Sequence, residues 1–330
     1  MDLRKRMAAL GAVMVAGHIA LNALGYESFA AAAETISAEG FRTVVTSLSA
    51  LSDTEESTPV PTVTILPSTP VPTASPSPTP LVMNTIIPGG IRIDNATDYA
   101  IDTAKLLTEG PDLVLTKEQP QILIIHTHSS EAYTMDDFDV YTPSDTTRTQ
   151  DTKYNVVRVG DVLTDALRDC GLEVIHDRSI YDYPSYTGSY TRAGEAIGQY
   201  LTKYPSIALV IDLHRDAIGS GDVVYKTIAE DVDAPCAQTM FVVGTDAGGL
   251  EHPNWQQNLK LALYLQAAVH LQHPTLQRPV KLVQERYNQQ LTGGSLILEV
   301  GSNGNTLAEA LRAIEFFAEA AGPALKALVQ

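Results

Sequence analysis

The stretch Ile122-Leu123-Ile124-Ile125-His126-Thr127-His128-Ser129-Ser130-Glu131 holds a fold signal and a chemical signal in ten residues. Four branched apolar residues in a row read as a strand buried on both faces, as in a parallel sheet covered by helices. The polar residues follow at its carboxyl end, where open α/β sheets bind their ligands. The arrangement recurs twice. Residues 207–213, interrupted by Asp212, run into His214-Arg215-Asp216, and Leu296-Ile297-Leu298 ends on Glu299. Residues 172–175 and 239–243 read as further strands. Between the first two strands, Val156, Val159, Leu163, Leu167 and Cys170 share one helical face, and Gly171 follows where a left-handed residue closes a helix. That is a β-α-β unit. The spacing predicts a long helix over 255–271, and Thr306 with Glu309 reads as a capping box opening a C-terminal helix through Phe316 and Phe317. The expected fold is α/β, a central sheet with crossover helices on both faces, over residues 95–330.

The chain has 330 residues, 44% apolar and 18% charged, enough for a full core. Its 39 acidic and 22 basic residues give a formal charge of −17, and no basic run follows the first six positions. A surface that neutralises phosphates is therefore unsupported, and no nucleic-acid partner is expected. Two cysteines, Cys170 and Cys236, exclude a disulfide-dense scaffold and a thiolate zinc site. A metal here must use histidine and carboxylate.

Ahead of this body, Arg4-Lys5-Arg6 precedes an uncharged stretch of about 20 residues, Met7 to Tyr26, long enough to span hydrocarbon as a helix. Charge before and apolarity after give an N-in orientation, as a single-pass anchor or as a cleaved signal. Either places the remainder outside the cytoplasm, and the anchor reading puts the protein in the cell membrane. Residues 1–29 form this segment and 30–56 have no assignment. Residues 57–94 form a linker. Within it, eight Pro and ten Ser or Thr fill the 25 positions from Ser57 to Leu81 without a charge, a disordered, polyproline-prone spacer.

Residues i and i+2 of an extended segment face one side, so His126 and His128 are expected to share a pocket. An open zinc site needs three protein ligands and a water, and imidazole with carboxylate supplies them. Such an ion polarises a carbonyl and acidifies its water. Glu299, at the end of a buried strand, is costly unless neutralised or hydrogen-bonded. It is either a base beside such a water or the partner of Arg215 or Arg286. Arg215 either binds a substrate carboxylate or carbonyl, or pairs with Asp212 or Asp216. His252, in Gly248-Gly249-Leu250-Glu251-His252-Pro253-Asn254-Trp255, is a candidate substrate contact or part of the helix start. His176 reads as part of a local network with Asp177 and Arg178.

These segments resemble the stage II sporulation protein P family. The resemblance runs from Ile122 to Tyr133, through Tyr154 to Gly160, Pro184 to Gly188, Val210 to Ala217 and Gly244 to Trp255, to Leu298-Glu299-Val300-Gly301-Ser302-Asn303-Gly304-Asn305. It implies a zinc-dependent N-acetylmuramoyl-L-alanine amidase acting on peptidoglycan during engulfment, with endopeptidase activity on cross-linked stem peptides. It also implies a zinc amidase-like fold, a membrane complex, and stage II sporulation proteins D and M as partners. Similar amidases hold zinc with two histidines and a carboxylate and use a second glutamate in catalysis. Carried over, that gives His126 or His128, His214, and Glu131 or Asp151 as ligands, with Glu299 as the catalytic acid and base. The chain departs from the wider amidase pattern, which has a Gly-rich turn before its first histidine and a Glu before the helix. The rival readings are a non-catalytic wall-binding or scaffolding module, and a different metallohydrolase using His126, His128 and His214 together.

Overall fold

The structure is a computed structural model that describes residues 81–83, 90–220 and 223–330. The expected membrane segment, the unassigned stretch and most of the linker lie outside the described residues. Among the described residues no helix is long and apolar enough to cross a membrane. The elements, in chain order, are β1 (Leu81–Met83), β2 (Ile93–Asn95), α1 (Thr103–Glu109), β3 (Ile122–Ile125), α2 (Val156–Asp169), β4 (Val174–His176), α3 (Ser189–Lys203), β5 (Leu209–Asp216), β6 (Gly219–Ser220), β7 (Val223–Thr227), β8 (Thr239–Gly244), α4 (Trp255–Gln272), β9 (Val280–Val283), β10 (Ser295–Ser302) and α5 (Leu307–Lys326).

Seven strands form the main sheet in the order β2-β9-β8-β10-β5-β3-β4, and β1-β7-β6 form a small separate sheet. All neighbours in the main sheet are parallel except β8 and β10, so strand direction reverses once, at that pair. The fold is mixed α/β with a mostly parallel central sheet. The body begins before residue 95: Ile91 is buried and Ile93 pairs with Val280 of β9. A three-residue edge strand leaves too little pattern to separate it from the linker.

Helix α2 starts where the Asn155 side chain accepts from the Val157 N–H and ends on Gly171 at φ 75°. Thr306 and Glu309 form the expected capping box of α5. Helix α3 has a weak sequence signal because only Ser189, Ala193 and Ile197 are buried along it, and glycines interrupt it at 194 and 198.

The two faces of the sheet are covered differently. On one, Ile122 and Ile124, Leu209, Ile211 and Leu213, and Leu296, Leu298 and Val300 pack with α2, α4 and α5 into one continuous core. On the other, alternate residues of the same strands divide into two small clusters. Leu123, Ile125 and Val210 pack under α3, while Met240, Val242, Val283 and Ile297 pack against Tyr287. Between them the open-face positions of β5 and β10 are Asp212, His214 and Glu299. Residues two apart on a strand share a face, and the parallel register sets Glu299 beside His214.

Candidate metal centre

Strand β3 stops at Ile125, and residues 127–130 form turns rather than extended chain. This separates the two histidines that an extended chain would have kept together. His126 is fully buried with Nδ1 2.8 Å from the Leu213 carbonyl and Nε2 2.8 Å from His176 Nε2. It sits against α2, where a Cβ on Gly160 would come within 2.7 Å of both imidazoles. Burial, helped by His176, lowers its pKa to about 3, so it is neutral. His128 turns to the open face instead. Its ring stacks on Tyr186 at 4.5 Å and meets His214 edge-on at 5.1 Å.

Glu131 completes the group. Its Oε1 lies 3.5 Å from His128 Nδ1 and its Oε2 3.3 Å from His214 Nδ1. Arg148 Nη2 donates to Oε1 at 3.2 Å, and the Arg215 N–H to Oε2 at 3.3 Å. Burial opposes ionisation of Glu131, but the two histidines and the Arg215 charge outweigh it and hold the carboxyl well below its ordinary range. His214 Nε2 is 2.9 Å from Asp212 Oδ1, close in distance although outside good hydrogen-bond geometry. Asp212 is itself fixed by the Thr127 N–H at 2.8 Å and the Thr127 hydroxyl at 2.6 Å. Burial disfavours charge on His214, yet Asp212 and Glu131 hold its pKa well above the ordinary value.

Potential ligand atoms of His128, Glu131 and His214 lie within 4.8 Å of one another. The donor set suits zinc: two imidazoles and a carboxylate, with a buried His128 Nε2 that has no hydrogen-bond partner among the described residues. An acidic group beside an imidazole is also the usual outer partner of a metal-bound histidine, the place Asp212 takes. A cavity of about 290 Å³ opens over these residues, with Tyr190, Tyr287 and Glu299 in its wall. Among the described residues Glu299 Oε2 is buried without a partner. Burial, reinforced by Asp216 and Glu131, pushes its pKa up to about 8 against the pull of His214 and Arg215.

Of the other expected residues, Arg215 lines this cavity and the rest lie elsewhere. Asp151 is exposed and accepts from the Lys153 N–H, outside the group. Arg215 directs its guanidinium at the carbonyls of Ala132, Thr147 and Asp216, so it ties loops rather than pairing with Asp212 or the Glu299 carboxylate. Arg286 donates to the Glu251 carbonyl. His252 is buried 3.5 Å from Asn258 Nδ2 and does not line the metal-site cavity. His176 joins His126 and lies 3.2 Å from Asp161, which also pairs with Arg178, so the expected local network includes Arg178 through Asp161 and extends to His126. Sequence reasoning missed Arg148, Tyr186, Tyr190 and Tyr287. For Asp212 a signal existed: the i, i+2 spacing to His214 sets both on one face of β5.

A family model described as stage II sporulation protein P matches residues 84–322. A stage II sporulation protein P of Bacillus subtilis (strain 168) is 27% identical over 214 residues, covering 62% of this chain and 50% of that protein. The chain thus spans about half the length of the curated relative it matches. Among solved structures, the N-acetylmuramoyl-L-alanine amidase AmiC2 of Nostoc punctiforme covers 63% of this chain and 96% of its own at 11% identity and a TM-score of 0.35. The CwlD amidase of Clostridioides difficile, in complex with the GerS lipoprotein, covers 61% and 95% at 12% identity and a TM-score of 0.38.

Proposed function

The chain belongs to the stage II sporulation protein P family, and from that premise we propose that it is a peptidoglycan hydrolase cleaving the amide between N-acetylmuramic acid and L-alanine during sporulation. The observation that supports this is the His128, Glu131 and His214 group facing Glu299 across one cavity. We also place the catalytic body outside the cytoplasm on its linker, in a membrane complex with stage II sporulation proteins D and M, and assign it stem-peptide cross-links as a second target.

In this reading His128, Glu131 and His214 hold zinc, which when bound polarises the amide carbonyl, acidifies a water molecule and offsets the burial penalty on Glu299. The chain's own groups do the rest. Glu299 Oε2, without a partner among the described residues, takes the proton from the attacking water and returns it to the leaving nitrogen. Asp212 and Glu131 orient the His214 ring from opposite sides. Arg148, tied to Asp182 at 2.6 Å, steadies Glu131. Tyr186 and Tyr190 flank His128 and hold its ring in place.

Mass spectrometry of digested cell-wall sacculi tests the assignment. New lactyl carboxyl ends on muramic acid, with release of L-alanine-terminated peptides, are expected from the zinc-loaded protein and not from Glu299→Gln. Intact muramoyl-peptide linkages with wild-type protein would favour a non-catalytic wall-binding module.

A further inference from the structure

Beside the metal-site cavity, across the Tyr190 and Tyr287 rings, lies a second cavity of about 380 Å³ that the proposed chemistry does not use. The two rings, 5.3 Å apart between centroids, line both cavities and divide them. We propose that the second cavity is a subsite for an amino-acid residue with a free carboxylate, anchored by Arg286. Its assignment to the peptide arm of the substrate rests on the amidase reading.

The rest of its wall is Gln284, Glu285, Arg286 and Asn288, with Gly248 and Leu250 beside them. Arg286 spends one N–H on the Glu251 carbonyl at 3.0 Å and forms no ion pair with an acidic residue among the described residues. The other arginines near the site are committed, Arg148 to Asp182 and Glu131, and Arg215 to backbone carbonyls. A guanidinium with unengaged donors is suited to gripping a carboxylate through two parallel hydrogen bonds. Glu285 lines the same cavity. Both signs of charge are thus present, which suits an amino-acid residue carrying carboxylate and ammonium and disfavours a polyanion.

The segment is held in a costly backbone conformation. Tyr287 and Asn288 have φ of 49° and 60°, two successive side-chain-bearing residues in the left-handed region. Three contacts keep them there. Asn288 Nδ2 donates to the Tyr190 carbonyl at 2.7 Å, Gln289 Nε2 to the Val242 carbonyl at 2.9 Å, and the Gly244 N–H to Gln289 Oε1 at 2.8 Å. Strain maintained in this way is typical of positions where side-chain direction matters to ligands. Here it fixes Tyr287 between the two cavities and Arg286 beside the second.

The test measures binding and cleavage separately. The tripeptide L-alanyl-γ-D-glutamyl-diaminopimelate, and the same peptide with its carboxylates amidated, are titrated calorimetrically into full-length zinc-loaded protein, wild type, Arg286→Ala and Arg286→Lys. The acid form is expected to bind wild type at least tenfold more tightly than it binds Arg286→Ala, with partial recovery in Arg286→Lys and weak binding of the amidated peptide throughout. Equal affinity across the variants, equal affinity for acid and amide, or no binding to wild type would overturn the subsite. Thermal melts of the variants report folding. With sacculi as substrate, Arg286→Ala is expected to raise KM while kcat stays within about twofold. Arg286-dependent binding without cleavage by wild type would leave the subsite standing and remove the amidase reading.

Discussion

The two faces of the central sheet are built from the same strands and alternate residues, yet they have opposite characters. The face under α2, α4 and α5 is continuous hydrocarbon, with Leu298, Phe241 and Phe317 in one core. The face under α3 is interrupted by three polar residues from β5 and β10, and only small clusters cover the remainder. The closed face stabilises the fold. The open face is where buried polar groups stand without full compensation, which would be a defect in a purely structural layer. Glu299 and Leu298 are neighbours in sequence and represent the two cases.

The largest effect expected from this contrast is on the open face. His214→Ala should lose bound zinc, read by elemental analysis, and should reduce sacculus hydrolysis by about 10³-fold or more. Glu299→Gln should lose comparable activity while keeping zinc near stoichiometric; wild-type rates in that variant would remove its role as proton carrier. On the closed face, Leu298→Ala should cost about 2–5 kcal/mol in denaturant unfolding, whereas Glu299→Gln should leave the metal-free protein as stable or more so at neutral pH. Equal losses at the two positions would end the distinction.

pH sharpens the comparison because the faces respond with opposite sign. In the metal-free protein, Glu299 titrates near 8 when folded and near 4.5 when unfolded. Its contribution is therefore complete below pH 4.5 and lost as pH rises toward 8, with a slope of up to about 1.4 kcal/mol per pH unit. His176, beside α2, is lowered by burial to about 4. The stability tied to its neutral form is present above pH 6.5 and declines as pH falls toward 4. Chemical denaturation across this range should show Glu299→Gln flattening the alkaline decline and His176→Gln the acid decline. The smallest effect is at a helix end, where Thr306→Ala removes one half of the capping box and should cost about 1 kcal/mol.

Much of this was legible in the residues. Strand β3 is bounded as Ile122-Leu123-Ile124-Ile125 predicts, and the α2 stripe with Gly171 and the α5 capping box follow the sequence signals closely. Periodicity and end signals are local, so they survive without knowledge of partners. The site was legible in its strand ends and not in its geometry. Choosing between His126 and His128 required the turns after Ile125, set by contacts such as the Ser129 hydroxyl with the carbonyls of His126 and Ser179. Choosing Glu131 over Asp151 required the path of residues 147–155. The aromatic wall was invisible for the same reason: Tyr190 and Tyr287 are far apart in sequence, and α3 buries too narrow a stripe to announce itself.

The reversal of strand direction between β8 and β10 has one more consequence. It places the carboxyl ends of β5 and β10 toward one end of the open face, and the turn that follows β9 toward the other. One end offers imidazoles and acids, the other a guanidinium behind a pair of phenol rings. The line from one cavity to the other therefore has a chemical head and tail, and the strand directions of the scaffold fix which way it points.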